Sequence, residues 1–326
     1  MQTRRLGGVE VSAMGLGCMG MSGAYGPADE EESIATIHAA MEAGVTLLNT
    51  GDFYGAGHNE MLVGRALAGK RDRAFVSVKF GAQLEPSGRI VGFDARPAAV
   101  KTYLTYTLRR LRTDYVDLYQ PARVDPAVPI EDTVGAVKEL IDAGWVRHLG
   151  LSEAGVGTIR RAHGVHPVAA LETEYSLATR DPERGVLPVL RELGIGLVAY
   201  GVLSRGLLSG DVASPADLAA GDFRAHAPRF QGENLEQNLR LADALRQVAD
   251  QTGLTVAQLA FAWVLSRGDD VVPLIGTKRR DRLADALGAL DATLSADDLA
   301  LLERAVPADA VAGTRYPAAA MSGLGR

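Results

Sequence analysis

Short apolar runs alternate with longer amphipathic stretches along the whole chain. Eight runs read as strands: residues 13–18, 45–49, 75–80, 116–121, 146–152, 169–175, 196–202 and 271–277. Most are nearly continuous in Val, Leu, Ile and Ala, as in parallel strands covered on both faces. Between them apolar residues recur at helical spacing. Ile34, Ile37 and Met41 mark one face of a helix over 31–43, and Pro97 stands at a favourable first position of a helix over 97–111. The same logic predicts helices over 130–143, 155–162, 184–193 and 257–266. Eight strand–helix units are the count of a closed (β/α)8 TIM barrel, expected to take up residues 1–326 as one domain. An open doubly wound sheet would show fewer parallel strands. Gly15, Gly17 and Gly20 lack the spacing of a Rossmann fingerprint.

Two segments interrupt the alternation, 81–96 and 203–235, the second rich in Gly, Ala, Asp and Pro. In a barrel both are long loops at the C-terminal face, where chemistry sits. The tail after Val306 is loosely patterned and is a candidate to cross the same mouth.

Charge narrows the partners. A net charge of -6 and a pI near 5.6 argue against nucleic acid or an anionic membrane. Cys18 is the only cysteine, so no intrachain disulfide forms and a reducing compartment fits. No apolar leader core follows the basic start, and no run approaches the ~18 residues of a membrane span. A cytoplasmic location is expected. No spacing of metal ligands appears, and nothing in the sequence indicates the oligomeric state.

Among chemistry-bearing residues, Lys79 sits in the apolar strand Val76-Ser-Val-Lys-Phe80 and needs a partner or a polar cavity. It is either a cation tuning another group or an exposed strand-end lysine. Tyr54, just past the second strand, is a general acid if a nearby cation lowers its pKa, and otherwise a packing residue. Asp52 reads as a turn or cap residue. His58 either orients substrate or bonds loop backbone.

Several blocks together carry a resemblance. Asn49-Thr-Gly-Asp-Phe-Tyr-Gly55 with His58-Asn-Glu60, the lysine strand, Asp117-Leu-Tyr-Gln120 with Arg123-Val-Asp-Pro126, and Gly150-Leu-Ser-Glu153 come first. Glu174-Tyr-Ser-Leu177, the block 199–210 and Pro273-Leu-Ile-Gly-Thr-Lys278 follow in order. The set resembles the aldo-keto reductase family over roughly residues 3–290. The resemblance implies NADPH-dependent reduction of aldehydes or ketones, with Tyr54 as the acid and Lys79 drawing the phenol's pKa towards neutral pH.

Two departures stand out. Asn49 occupies the position of the family's catalytic aspartate and Ala122 that of its histidine. On this reading Lys79 has lost its counter-ion, which lowers its own pKa. Ala122 cannot donate to a carbonyl oxygen, and loss of one such donor costs about 10²–10³ in rate in well-studied enzymes.

The resemblance also implies a cofactor path over Gly20, Met21, Ser152, Glu153, Glu172, Tyr200, Gly201, Leu203, Ser204, Arg205, Gly206, Gly276, Thr277, Lys278, Arg282, Asp285 and Ala286. Ser152 matches the serine that holds the carboxamide, with Glu153 in place of Asn and Glu172 in place of Gln. Tyr200 would stack on the nicotinamide, and Leu203 to Gly206 would follow the pyrophosphate. Lys278 and Arg282 would clamp a 2′-phosphate, which favours NADPH over NADH. The alternative for the basic run 278–282 is a solvated helix start. Ala286 replaces an adenine-binding amide. Tyr25, Phe53, Phe80 and Arg123 are candidate pocket residues for a small carbonyl substrate.

Two functions compete. One is a reductase, of reduced activity if the departures matter. The other is a nicotinamide-dinucleotide-binding sensor or interaction protein with vestigial chemistry. A lyase or isomerase on the same scaffold would need a paired carboxylate; Glu172 and Glu174, two apart on one strand, are the only hint of one.

Overall fold

The computed structural model describes residues 1–209, 212–219 and 221–325. Gly210, the last residue of the 199–210 block, lies outside the described residues, as do Asp211, Ala220 and Arg326.

Eight parallel strands close into a barrel in sequence order. They are β1 (Gly15–Gly17), β2 (Leu47–Gly51), β3 (Phe75–Phe80), β4 (Val116–Pro121), β5 (Val146–Ser152), β6 (Val168–Glu174), β7 (Gly196–Tyr200) and β8 (Val271–Gly276). Leu274 of β8 pairs with Gly15 of β1 and shuts the ring. Three strands have the bounds that the apolar runs predict, and the others shift by one or two residues.

The helices α1 (Glu30–Glu42), α2 (His58–Ala66), α3 (Pro97–Leu111), α4 (Ile130–Asp142), α5 (Val156–Val165) and α6 (Val186–Leu193) surround the barrel with α7 (Gly232–Thr252), α8 (Val256–Leu265), α9 (Arg280–Leu287) and α10 (Ala296–Ala305). Four of these escape the periodicity reading. α2 buries Asn59 and Glu60 beside Leu62 and Val63, which blurs its apolar face. α7 emerges from the irregular segment 203–235, and α9 from the basic run 278–282. α10 carries a legible start, a capping box from Ser295 to Asp298.

Two antiparallel hairpins are also additional. Thr3–Leu6 pairs with Val9–Ser12 below the barrel, and Ala82–Leu84 with Ile90–Phe93 inside the expected loop 81–96. The first hairpin closes the floor. Leu6 and Val11 join Leu47, Leu118, Ala170, Val198, Val272 and Leu274 in a cluster inside the ring. Burying each large side chain there contributes about 1.5–3 kcal/mol. Gly196 is required at this junction, because a Cβ on β7 would lie 2.5 Å from the Cα of Leu6. Arg4 ties the hairpin down by donating to the carbonyls of Leu265, Gly268 and Val271.

A larger core lies between strands and helices. Side chains alternate across each strand. On β3 this sends Val76, Val78 and Phe80 outward and Ser77 and Lys79 into the barrel. Phe80 is fully buried and stacks on Tyr119 at 4.2 Å. It is therefore a packing residue of the outer core, not the pocket residue the sequence suggests.

Candidate functional site

The upper interior of the ring is polar. Pairing sets Asn49 of β2 beside Ser77 and Gly51 beside Lys79, while Lys79 pairs with Gln120 of β4. Lys79 Nζ donates to Asn49 Oδ1 at 2.6 Å and to the two carboxylate oxygens of Glu172 at 2.9 and 3.1 Å. Asn49 Nδ2 donates to Glu172 Oε2 at 2.7 Å, and Gln120 Nε2 to the same oxygen at 2.6 Å. All four side chains are buried.

This corrects the expectation that Lys79 has lost its counter-ion. The charge absent at position 49 is present at 172, in contact with both the ammonium and the Asn49 amide. Burial pushes the Lys79 pKa down and Glu172 opposes that shift. The direction matches the expectation, but its cause is desolvation, not a missing partner. Glu172 also has both oxygens committed to the network, so the geometry sets it under the lysine and not among free cofactor contacts. A close Lys–Glu pair whose carboxylate also accepts from two side-chain amides is the arrangement in which a buried ion pair offsets its desolvation.

Gly150 of β5 makes room for this network. A Cβ there would meet Gln120 Oε1 at 3.0 Å and Leu118 Cγ at 3.1 Å.

Tyr54 follows β2 in a short turn. Its ring centroid lies 5.2 Å from Lys79 Nζ, and Phe53 packs edge-on against it at 4.7 Å. Burial pushes the phenol well above its ordinary value, and Glu172 adds to the rise. The expected lowering by Lys79 is not what the protein alone displays, because burial of the phenol prevails and Glu172 adds to it. Ala122, buried at the end of β4, presents no donor.

Asp52 caps the amide of Gly81 at 3.2 Å as a loop residue. Its burial, with Glu60 nearby, raises its pKa to about 7. His58 bridges Ser22 Oγ at 2.9 Å and Glu30 at 2.8 Å, side chains rather than loop backbone. It is a clasp between the first and second strand loops.

Around the rim, the tail beyond α10 does reach the mouth. Arg315 pairs with Glu153 at 2.8 Å, and Tyr316 Oη lies 3.0 Å from Tyr200 Oη. Tyr200 donates to Glu153 at 2.7 Å. Burial alone would raise the Glu153 carboxyl, but Arg315 prevails and holds it below the ordinary range. Arg205 lies over the Tyr316 ring at 4.3 Å, donates to the Arg315 carbonyl at 2.6 Å, and shares Glu174 with Arg229. Glu172 and Glu174 are thus each paired with cations, which removes the hint of an acidic pocket. Glu153, Ser204 and Arg205 all have positive φ, at 55°, 48° and 61°. Such strain in non-glycine residues clusters at ligand-handling loops.

The other candidates spread along the same rim. Ser152 is buried beneath Glu153, and Gly20 lies against the Tyr25 ring while Met21 is buried. Tyr25 packs on Phe223 at 5.2 Å. Gly201 contacts Glu174, Leu203 borders the outer core, and Gly206 lies beside Arg224. Gly276 and Thr277 end β8 and lead to Lys278, whose ammonium caps the carbonyls of Tyr25, Gly26 and Pro27. Arg282 lies in the first turns of α9. Asp285 accepts from Thr255 at 2.8 Å, and Ala286 is buried.

Gln120, Arg229, Arg315 and Tyr316 are the site residues that sequence reasoning missed. Gln120 stood within a quoted motif, and the tail was expected at the mouth, but nothing singled out Arg315 and Tyr316 within it. Among the described residues, no group of three His, Cys, Asp or Glu is arranged to hold a metal, and no helix is long and apolar enough to cross a membrane.

Residues 13–307 match the model of the Aldo/keto reductase family. A relative named Probable aldo-keto reductase 1, from Glycine max, is 44% identical over 313 residues, covering 95% of this chain and 89% of the relative. The glycerol dehydrogenase of Gluconobacter oxydans has a similar structure, with a TM-score of 0.83 and 30% identity over 94% of this chain and 96% of that one. An aldo/keto reductase from Klebsiella pneumoniae, solved in complex with NADP and acetate, superposes with a TM-score of 0.75 at 27% identity, covering 96% and 98% of the two chains.

Proposed function

The chain belongs to the aldo/keto reductase family, and from that premise we propose that it reduces aldehydes or ketones to alcohols with NADPH, using Tyr54 as proton donor and Lys79 as its tuning cation. The observation that carries this reading is the intact charge system under the tyrosine: Lys79 beneath the Tyr54 ring, held by Glu172, Asn49 and Gln120.

The residues fit a dinucleotide best at its phosphate-bearing end. Among the described residues, Lys278 is bonded only to backbone carbonyls, and Arg205 has a single, shared carboxylate at 3.4 Å. Cations so lightly paired suit phosphate oxygens. Lys278 and Arg282 would hold a 2′-phosphate, Ser204 to Gly206 the pyrophosphate, and Ser152 and Tyr200 the nicotinamide. The bound cofactor supplies a hydride.

The chain's own residues supply the rest. Tyr54 Oη gives its proton to the nascent alkoxide, and Lys79 then stabilises the phenolate by its charge. Glu172 keeps Lys79 protonated in a site where burial favours the neutral amine. Asn49 and Gln120 orient that carboxylate. A phenol raised by burial stays protonated until charge builds on the substrate oxygen. The loop after β2 and the tail at Tyr316 exclude water.

The sensor reading draws on Ala122, which removes one oxyanion donor. The paired Lys79 weighs against it, since a vestigial site has no need of a relocated counter-ion. The test is NADPH oxidation by the purified protein over a panel of aldehydes and ketones, alongside NADPH binding by fluorescence. Turnover is expected, with Tyr54→Phe removing most of it at unchanged NADPH affinity. Equal turnover in Tyr54→Phe would overturn the assigned role; tight binding with no turnover on any carbonyl would favour the sensor.

A further inference from the structure

The charges at the mouth do not balance. Lys79 is paired with Glu172, Arg315 with Glu153, and Arg229 with Glu174, which Arg205 shares. Arg123 is left over. Its guanidinium donates to the carbonyl of Ala122 at 2.6 Å and weakly to Tyr316 Oη at 3.4 Å, and lies 5.7 Å from the Tyr316 ring. Among the described residues it has no carboxylate in ion-pairing contact. A guanidinium held this far from bulk water without an anion is costly.

Its position is specific. Arg123 follows Ala122 just past the end of β4, where residue 122 carries only a methyl group. Its charge acts most strongly on Tyr316, then on Tyr200, on the more distant Glu153 and on Tyr54. It therefore faces the space where a carbonyl must meet the phenol. A planar guanidinium with N–H groups to spare matches a carboxylate better than any neutral group.

We propose that Arg123 is the anchor for a carboxylate carried by the substrate, so that the preferred substrates are carbonyl compounds with an acid group beside the carbonyl, such as 2-oxo acids. This rests on the reductase reading above. A carboxylate on Arg123 gives that guanidinium the anion it lacks and leaves the neighbouring carbonyl beside Tyr54. It also assigns Arg123 a positioning duty that Ala122 cannot perform. A neutral ketone would leave the guanidinium desolvated and unpaired.

The test compares kcat/KM for matched pairs, a 2-oxo acid and the methyl ketone of the same skeleton, in the wild type, Arg123→Lys and Arg123→Met. Loss of a charged hydrogen bond corresponds to about 10–100-fold, so the wild type is expected to prefer the acid by at least tenfold. The ratio should fall towards one in Arg123→Met and stay intermediate in Arg123→Lys. A ratio near one in the wild type, or a preference that survives in Arg123→Met, overturns the proposal. A second readout needs no turnover: oxalate should raise the melting temperature of the wild type and not of Arg123→Met. If no carbonyl is reduced but that oxalate difference is present, the anion subsite stands while the reductase reading falls. An oxalate shift of equal size in both proteins overturns the subsite.

Discussion

The ammonium of Lys79 lies 2.9 Å from a carboxylate oxygen of Glu172, across the barrel from the strand that carries Asn49. Relative to the family pattern that the sequence resembles, the acid and the amide have exchanged positions around one lysine.

That exchange is testable as a swap. Glu172→Gln should destabilise the protein by about 3–5 kcal/mol, the cost of leaving a buried charge without its partner. It should also move the activity limb set by Lys79 to lower pH, because Glu172 is what raises that pKa against burial. Asn49→Asp alone should be harmful as well, since it turns the 2.7 Å contact with Glu172 into a clash of carboxylates. The double variant should recover stability in urea unfolding. A double variant no better than the sum of its singles would show that position 172 is not the counter-ion.

Gly150→Ala probes the room the network needs. The new methyl would press on Gln120 Oε1 at 3.0 Å and Leu118 at 3.1 Å. Overpacking of this kind costs about 1–3 kcal/mol. Urea unfolding should register that loss, and kcat should fall with it, because Gln120 must shift off Glu172. Unchanged stability would mean the strand yields more easily than its contacts imply.

Asp52 gives a pH signature. Its folded pKa of about 7 lies above the unfolded value, so its ionisation opposes folding. Stability is unaffected by this group below the unfolded pKa, near 4, and is lost as pH rises through about 7. Asp52→Asn keeps an acceptor for the Gly81 amide and removes the loss. The variant's stability advantage over the wild type should therefore grow between pH 4 and pH 7 and level off above, reaching on the order of a few kcal/mol. A constant difference across that range would contradict the burial account.

Lys278→Ala bears on cofactor choice. Removing one charged contact to a 2′-phosphate should weaken NADPH binding about tenfold or more and leave NADH nearly unaffected. Fluorescence titration of both nucleotides reads this directly, and equal weakening would place Lys278 elsewhere on the cofactor.

Much of the barrel was legible because its strands are buried on both faces and appear as continuous apolar runs. β3, β4 and β5 could be bounded to the residue for that reason. α2 and the two hairpins were not, since buried polar residues and strands of three or four residues leave little period to read. At the site, Tyr54 and Lys79 stood in ordered motifs. Glu172 did not reveal its partner, because a lysine on β3 and a glutamate on β6 are neighbours only once the ring has closed. Phe80 misled for a related reason: a one-residue step along a strand reverses the face, and its neighbour Lys79 points the other way.

The mouth draws on both ends of the chain's order. Lys79 leaves the ribosome early, Glu172 later, and β8 must still zip onto β1 before Arg315 and Tyr316 can settle over Glu153 and Tyr200. At about 5–20 residues per second, the interval from Glu172 to Tyr316 is roughly ten seconds of synthesis. Through that interval Glu153 and Tyr200 lack the partners that the tail brings, and the rim they share stays open to water.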